Sequence, residues 1–269
     1  MMKDDLPKHR RSLWLRSERA FGLESVRMPQ PIEPDAPLTP SQSPPPQPAS
    51  AAQLFAPNGE ADFAPMMGES LSREEKIAKL AQMDAGEVKS CTRCRLCETR
   101  KNTVFGEGDP DAKIFFIGEG PGETEDLQGR PFVGRAGELL NKMIAGMGLR
   151  RQQVFIANIV KCRPPDNRVP APDEVETCTP YLVRQLEIIR PKVIVTLGLP
   201  SAKYMLNSRL SMGKMRGQWY NWRGIKLMPT FHPAFLLRSY TEENRAAVWS
   251  DLKQVMAEVG LPIPSRASG

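Results

Sequence analysis

The sequence predicts an α/β fold, a sandwich around a mainly parallel sheet, on three observations. Short apolar runs at Ile114–Ile117, Val154–Val160 and Lys192–Leu197 read as buried strands. Stretches with apolar residues at helical spacing separate them, and strands alternating with helices build a parallel sheet. The first run opens directly onto Gly118-Glu119-Gly120-Pro121-Gly122. A loop between the C-terminal end of a parallel strand and the next helix is where open α/β sheets place their ligands.

Taken in order, residues 1–70 do not read as a folded unit. Ten of the 26 prolines fall between Pro29 and Pro57, amid Ser, Gln and Ala. Such a segment buries too little apolar surface to offset its ordering entropy. Trp14, Leu15 and Phe21 could dock on a partner protein, although a tail with a few stray apolar residues is the simpler reading. The folded domain is expected over 71–262, with 263–269 as a C-terminal tail. It opens near Ser72, whose spacing to Glu75 matches a capping box for a helix carrying Ile77, Leu80 and Met83.

Leu139, Leu140, Met143, Ile144 and Met147 mark the helix after the glycine turn. A second long helix is expected from Asp173, with Val175, Cys178, Leu182, Leu186 and Ile189 inward and Pro191 as its stop. A short helix carries Tyr204, Met205 and Leu206. Arg216–Trp222 and Ile225–Met228 read as further strands, Phe231-His232-Pro233 ends that run, and a last helix takes Arg245–Val259.

At 269 residues and 40% hydrophobic content the chain is long enough for one good core plus extra segments. No apolar run is long enough to span a bilayer, so no membrane association is expected. The first residues lack the continuous apolar stretch of a secretory signal, and Asp4, Asp5, Glu18 and Glu24 argue against a mitochondrial presequence. A cytoplasmic protein is the expectation. The net charge of +6 suits a polyanionic partner without demanding one.

Five cysteines in such a chain argue for metal or catalysis rather than disulfides. Cys91 and Cys94 have CxxC spacing, Cys162 ends a strand, and Cys178 lies sixteen positions on, within a helix. Four thiolates from separated segments suit tetrahedral zinc or an iron–sulfur cluster. Zinc sites more often arrive as two CxxC pairs, so a pair plus two distant singles favours iron–sulfur. Cys97 rivals Cys94, because Cys94-Arg-Leu-Cys97 is a second CxxC. Buried free cysteines would explain any one of these residues but explain the set poorly.

The glycine turn is not the dinucleotide fingerprint, because Glu123 stands where that pattern needs a third small residue. Three acids follow it, Glu123, Glu125 and Asp126, then Arg130-Pro131-Phe132. On residue type alone the turn could be a plain connection with a solvated acidic face.

The strings GEGPGETED, GRPFVG, NIVKCRPP, a cysteine sixteen residues later, and TFHPAFLLR, in this order, resemble the family-four uracil-DNA glycosylases of bacteria and archaea. The likeness covers about residues 72 to 260. It implies the three-layer α/β/α sandwich of that superfamily, DNA repair activity that leaves an abasic site and free uracil, and a four-iron four-sulfur (4Fe-4S) cluster. It places the cluster ligands on Cys91, Cys94, Cys162 and Cys178, and leaves Cys97 outside the set.

Within that reading, a glycosylase must flip uracil out of the stack and read its polar edge. Phe132 is positioned to stack on the extruded base, although ordinary core is its reading without the family. Asn158 interrupts an apolar strand, where a buried amide needs a reason. Its carboxamide can donate to a uracil carbonyl and accept from N3–H, a pattern cytosine does not match; a structural hydrogen bond is the alternative. Backbone near Gly120 and Gly122 would contact base or sugar. His232, the one histidine besides His9, would donate to uracil O2 and stabilise the anionic leaving base. Glu119 and Glu125 are both candidates for orienting the attacking water and stabilising the cationic sugar, and the sequence does not rank them. For DNA, Leu236, Leu237 and Arg238 offer a wedge and a cation, and Lys161, Arg163 and Arg168, with Lys214 and Arg216 behind them, are candidate phosphate contacts. The reaction needs no redox step, so the cluster is expected to pin two loops that shape the DNA-binding surface. The substrate is uracil-containing DNA, single- or double-stranded, and a monomer is expected.

Three rivals are weighed. An iron–sulfur relative that binds uracil-DNA without turnover would carry a histidine-bearing insert after the second strand. Here the 164–172 loop has no histidine, and Gly120 fills the middle of the glycine turn. A DNA polymerase-associated module would use the Pro-rich segment as a tether. A small electron-transfer protein leaves the glycine turn, Asn158 and His232 unexplained together.

Overall fold

A computed structural model describes residues 71–263; the expectations for 1–70 and for the last residues of the chain lie outside them. Helix α1 (Arg73–Met83) begins where the sequence placed it. Ser72 Oγ accepts from the Glu75 N–H at 3.2 Å, and Glu75 Oε2 accepts from the Ser72 N–H at 2.7 Å, which closes the capping box. Leu80 and Met83 are buried, whereas Ile77 is 50% exposed.

Six strands form one sheet: β1 (Glu107–Gly108), β2 (Ile114–Gly118), β3 (Phe155–Asn158), β4 (Val193–Leu197), β5 (Tyr220–Trp222) and β6 (Ile225–Thr230). Their order is β1-β3-β2-β4-β6-β5. The central strands β3, β2, β4 and β6 are parallel, and β1 and β5 pair antiparallel at the edges. Every residue of β2 and β4 is buried. Continuous apolar runs are what a parallel sheet covered on both faces demands.

Alternation along β2 splits the core. Phe115 and Ile117 face Leu80 and Met83 of α1 and Leu182 and Leu186 of α4 (Pro172–Ile189). Ile114 and Phe116 face Leu140 and Ile144 of α3 (Arg135–Gly146) and Leu252 and Val255 of α8 (Glu242–Val259). Helices on both faces of the sheet make the three-layer sandwich.

Several bounds differ from expectation. β3 stops at Asn158 instead of Val160, and Arg216 precedes β5 rather than belonging to it. Thr241 caps α8, so it starts at Glu242, three residues before Arg245. Three short helices were not anticipated: α2 (Glu123–Gln128), α6 (Met212–Met215) and α7 (Pro233–Arg238). Elements of four to six residues are too short to show a 3.6-residue period. The short helix around Tyr204 is α5 (Leu199–Leu206).

Candidate active site and cysteine centre

β3 lies on one side of β2 and β4 on the other, so the chain reverses direction across the sheet at β2. The crevice outside the carboxyl ends of the strands at such a switch point is the standard ligand position. A cleft of about 660 Å³ opens there, lined by Glu119, Phe132, Asn158, Gly198 and His232 among others.

Close packing sets these groups. A Cβ on Gly118 would lie 2.3 Å from Asn158 Oδ1 and 2.6 Å from Phe132 Cζ, so only glycine lets both side chains meet over the end of β2. Gly198, at φ 92°, gives His232 the same room after β4, since a Cβ there would sit 2.9 Å from His232 Cβ. The Phe132 and His232 rings lie 5.6 Å apart. Gly120 and Gly122 line the cleft as well, and each backs onto protein: Val160 Cγ2 and Glu125 Oε2 stand 2.8 Å from their would-be Cβ atoms.

The polar groups differ in what they already hold. His232 caps α7, its Nδ1 accepting the Ala234 N–H at 3.0 Å. That bond requires the proton of the neutral ring to sit on Nε2. Burial, with Arg238 nearby, depresses the His232 pKa to about 4, so the ring is neutral at pH 7. Asn158 is buried and its Oδ1 has no hydrogen-bond partner among the described residues; the same holds for Glu119 Oε1. Buried acceptors without partners call for an explanation. Burial also raises the Glu119 pKa above the usual carboxylate range. Glu125 is engaged: its Oε1 accepts the N–H groups of Val133 and Gly134, both at 2.9 Å. It thereby ties α2 to the start of α3.

The cysteines gather on the face of the sheet that α1 and α4 cover. Cys91, Cys94, Cys162 and Cys178 line one small pocket beneath α4, and Cys97 is not part of its wall. Donors face the sulfurs. Arg100 Nη1 reaches Cys162 Sγ at 3.1 Å, the Lys161 N–H reaches Cys178 Sγ at 3.2 Å, and the Tyr181 hydroxyl lies 3.5 Å from Cys91 Sγ. Among the described residues no three His, Cys, Asp or Glu side chains converge on a single ion. Four sulfurs spread around a shared cavity suit a polynuclear group.

The basic candidates separate. Arg238 is exposed and lines the cleft, and Leu237 is exposed on the same helix, whereas Leu236 is buried and so does not form the wedge. Arg168 lines the cleft while its guanidinium grips the buried Glu174 at 2.6 and 2.8 Å. Arg163 is half-buried, its Nε donating to Asn167 Oδ1 at 2.8 Å. Lys161 is not a phosphate contact: it is fully buried, with Nζ donating to the Asn158 carbonyl oxygen and Gln185 Oε1. Arg216 pairs with buried Asp251 at 2.5 Å and lies over the Phe231 ring, so it too serves the fold.

A doubly wound α/β sandwich, with a mainly apolar cleft carrying a few polar groups at its switch point and a thiol-lined cavity beside it, is the class of protein this fold defines. The chain belongs to the uracil-DNA glycosylase superfamily: residues 105–253 match the family described as Uracil DNA glycosylase superfamily. It is 46% identical to a type-4 uracil-DNA glycosylase of Thermotoga maritima over 185 residues, 68% of this chain and 94% of that one. Type-4 enzymes of Saccharolobus solfataricus (49% identity, 64% of this chain, 82% of that one) and Sulfurisphaera tokodaii (50%, 63% and 80%) are similar to it.

Proposed function

We propose that the chain is a monofunctional uracil-DNA glycosylase of DNA repair, hydrolysing the N-glycosidic bond of uracil flipped out of DNA. The observation that carries the reading is the convergence in one cleft of a ring, Phe132, an amide, Asn158, a neutral imidazole, His232, and an unpaired carboxylate, Glu119. The relatives named type-4 uracil-DNA glycosylase support the same substrate.

Phe132 stacks on the everted base. Asn158 Oδ1, with no partner of its own, accepts uracil N3–H while the amide NH₂ donates to a carbonyl; cytosine lacks that hydrogen. Glu119 orients a water against C1′ and draws off its proton as the new C–O bond forms. The C1′–N1 bond breaks with its electron pair on the base, and the His232 Nε2–H donates to O2 as charge develops there. A preformed donor of this kind is the usual large contribution in such a site. Glu125, holding two backbone amides, builds the pocket wall instead. Gly120 and Gly122 let base and sugar approach the backbone. Leu237 fills the gap the base leaves, and Arg238, with Arg163 and Arg168 along the rim, meets phosphates.

Cys91, Cys94, Cys162 and Cys178 fit a 4Fe-4S cluster by donor type and shared cavity. When bound, such a group would supply a cross-link between the 91–94 segment, the loop after β3 and α4. Free thiols for this purpose fit the reducing cytoplasm. The cleft is built from one chain, so a monomer suffices on single or double strands. Among the described residues no helix is long and apolar enough to cross a membrane.

The test is incubation of the iron-loaded protein with a uracil-containing oligonucleotide. Free uracil and alkali-labile abasic sites are expected; intact strands would refute the reading.

A further inference from the structure

Phe132 holds a backbone conformation that a bulky residue adopts only under constraint. Its φ of 50° lies in the left-handed region, and strain of that kind persists where the surroundings over-determine it. Arg151, just before β3, supplies the constraint. Its Nη1 donates to the Phe132 carbonyl oxygen at 3.1 Å and to Asn141 Oδ1 at 2.8 Å, and its Nη2 donates to the Pro131 carbonyl oxygen. Its Nε donates to Glu107 Oε1 at 2.7 Å. Glu107, on the two-residue edge strand β1, is gripped in turn by Arg130 at 2.8 and 3.1 Å.

The other sides of the turn are closed as well. A Cβ on Gly137 would lie 1.8 Å from the Phe132 carbonyl oxygen, so α3 packs directly against that peptide. Glu125 holds the next two N–H groups. Arg151 itself is 14% exposed and lies outside the residues lining the cleft, so it does not touch the base.

We propose that Arg151, oriented by Glu107, is a positioning residue that presets the Phe132 ring for base stacking. The proposal rests on the stacking role assigned to Phe132 above. A guanidinium fork meets four acceptors in fixed geometry, which an ammonium on a flexible stem does not reproduce.

A double-mutant cycle on the full-length protein tests it, with affinity for free uracil and single-turnover excision as readouts. Arg151→Met and Phe132→Ala are each expected to weaken uracil binding about tenfold, and the double variant by no more than about twofold beyond Phe132→Ala, because the clamp acts through the ring. Affinity for DNA carrying an abasic site should stay within about twofold in Arg151→Met, since no phosphate contact is lost. Full additivity in the double variant would overturn the proposal, as would normal uracil affinity in Arg151→Met alongside an impaired Phe132→Ala. An unimpaired Phe132→Ala would overturn the stacking role itself, and the proposal with it. Where Arg151→Met does not fold, Glu107→Gln is the substitute: a smaller loss that vanishes in the Phe132→Ala background is expected, and a loss that persists there overturns the proposal.

Discussion

Lys161 Nζ lies 2.9 Å from the main-chain carbonyl oxygen of Asn158, and the backbone N–H of the same lysine donates to Cys178 Sγ at 3.2 Å. One fully buried residue thus links the cysteine centre to the strand end that presents the Asn158 amide. Gln185 completes the arrangement, accepting from Nζ at 2.7 Å and donating to the Phe105 carbonyl oxygen at 2.9 Å. A buried ammonium is tolerated only when it is hydrogen-bonded, so this geometry is specific.

Lys161→Met should therefore do more than remove a charge. It leaves the Asn158 carbonyl and Gln185 Oε1 without their donor, at a cost of about 1–3 kcal/mol. A lower melting temperature and weaker uracil affinity are expected together, measured by thermal denaturation and uracil titration. Unchanged affinity would show that Asn158 holds its place without the lysine.

The two acids of the glycine turn should behave differently. Glu119→Gln is expected to lower single-turnover excision by at least about a hundredfold with little loss of stability, as removal of a general base does. Glu125→Gln replaces the charged acceptor that pins Val133 and Gly134 with a neutral one, so thermal stability should fall along with rate. The reverse pattern would exchange their roles.

His232 sets a pH expectation. Its pKa is depressed to about 4, so the Nε2–H donor stays on a neutral ring well below the range in which an ordinary histidine titrates. Acid loss of kcat/KM should follow Glu119, whose carboxyl is raised by burial, and should disappear in the residual activity of Glu119→Gln. His232→Ala should cost about 10²–10³ in rate, the usual loss for one such donor. An acid limb near the ordinary histidine value that persists in Glu119→Gln would contradict the assignment.

Glu174 carries a stability expectation. Hydrogen bonds from Arg168 lead the interactions that hold its carboxyl at about 2, below its ordinary value of 4.5. Because the folded state keeps the proton off, this stabilisation is complete above about pH 4.5 and fades as pH falls towards 2. Glu174 also accepts from Arg95 at 2.8 Å, in the segment between Cys94 and Cys97. Acid titration of stability should show a drop over that window which Glu174→Gln abolishes.

The central strands were legible because a parallel strand covered on both faces must be largely apolar, as Ile114–Ile117 is throughout and Val193–Leu197 is but for Thr196. The capping box at Ser72 was legible because its two partners are three residues apart. The fork from Arg151 to Glu107 was not, since 44 positions separate the pair and neither belongs to a recognisable string. Lys161 misled for a related reason: a lysine beside Cys162-Arg163 reads as surface charge until α4 is laid over it.

Taken alone, the order of residues determined the layered architecture, the family likeness and the short roster of groups able to act, since periodicity and local spacing are properties of the chain itself. The tertiary structure decided which of those groups remain free. Whether a carboxylate, an amide or a cation is already spent on a neighbour depends on contacts between distant segments, and here they leave Glu119 and Asn158 unpaired while committing Glu125, Lys161 and Arg216 to the scaffold.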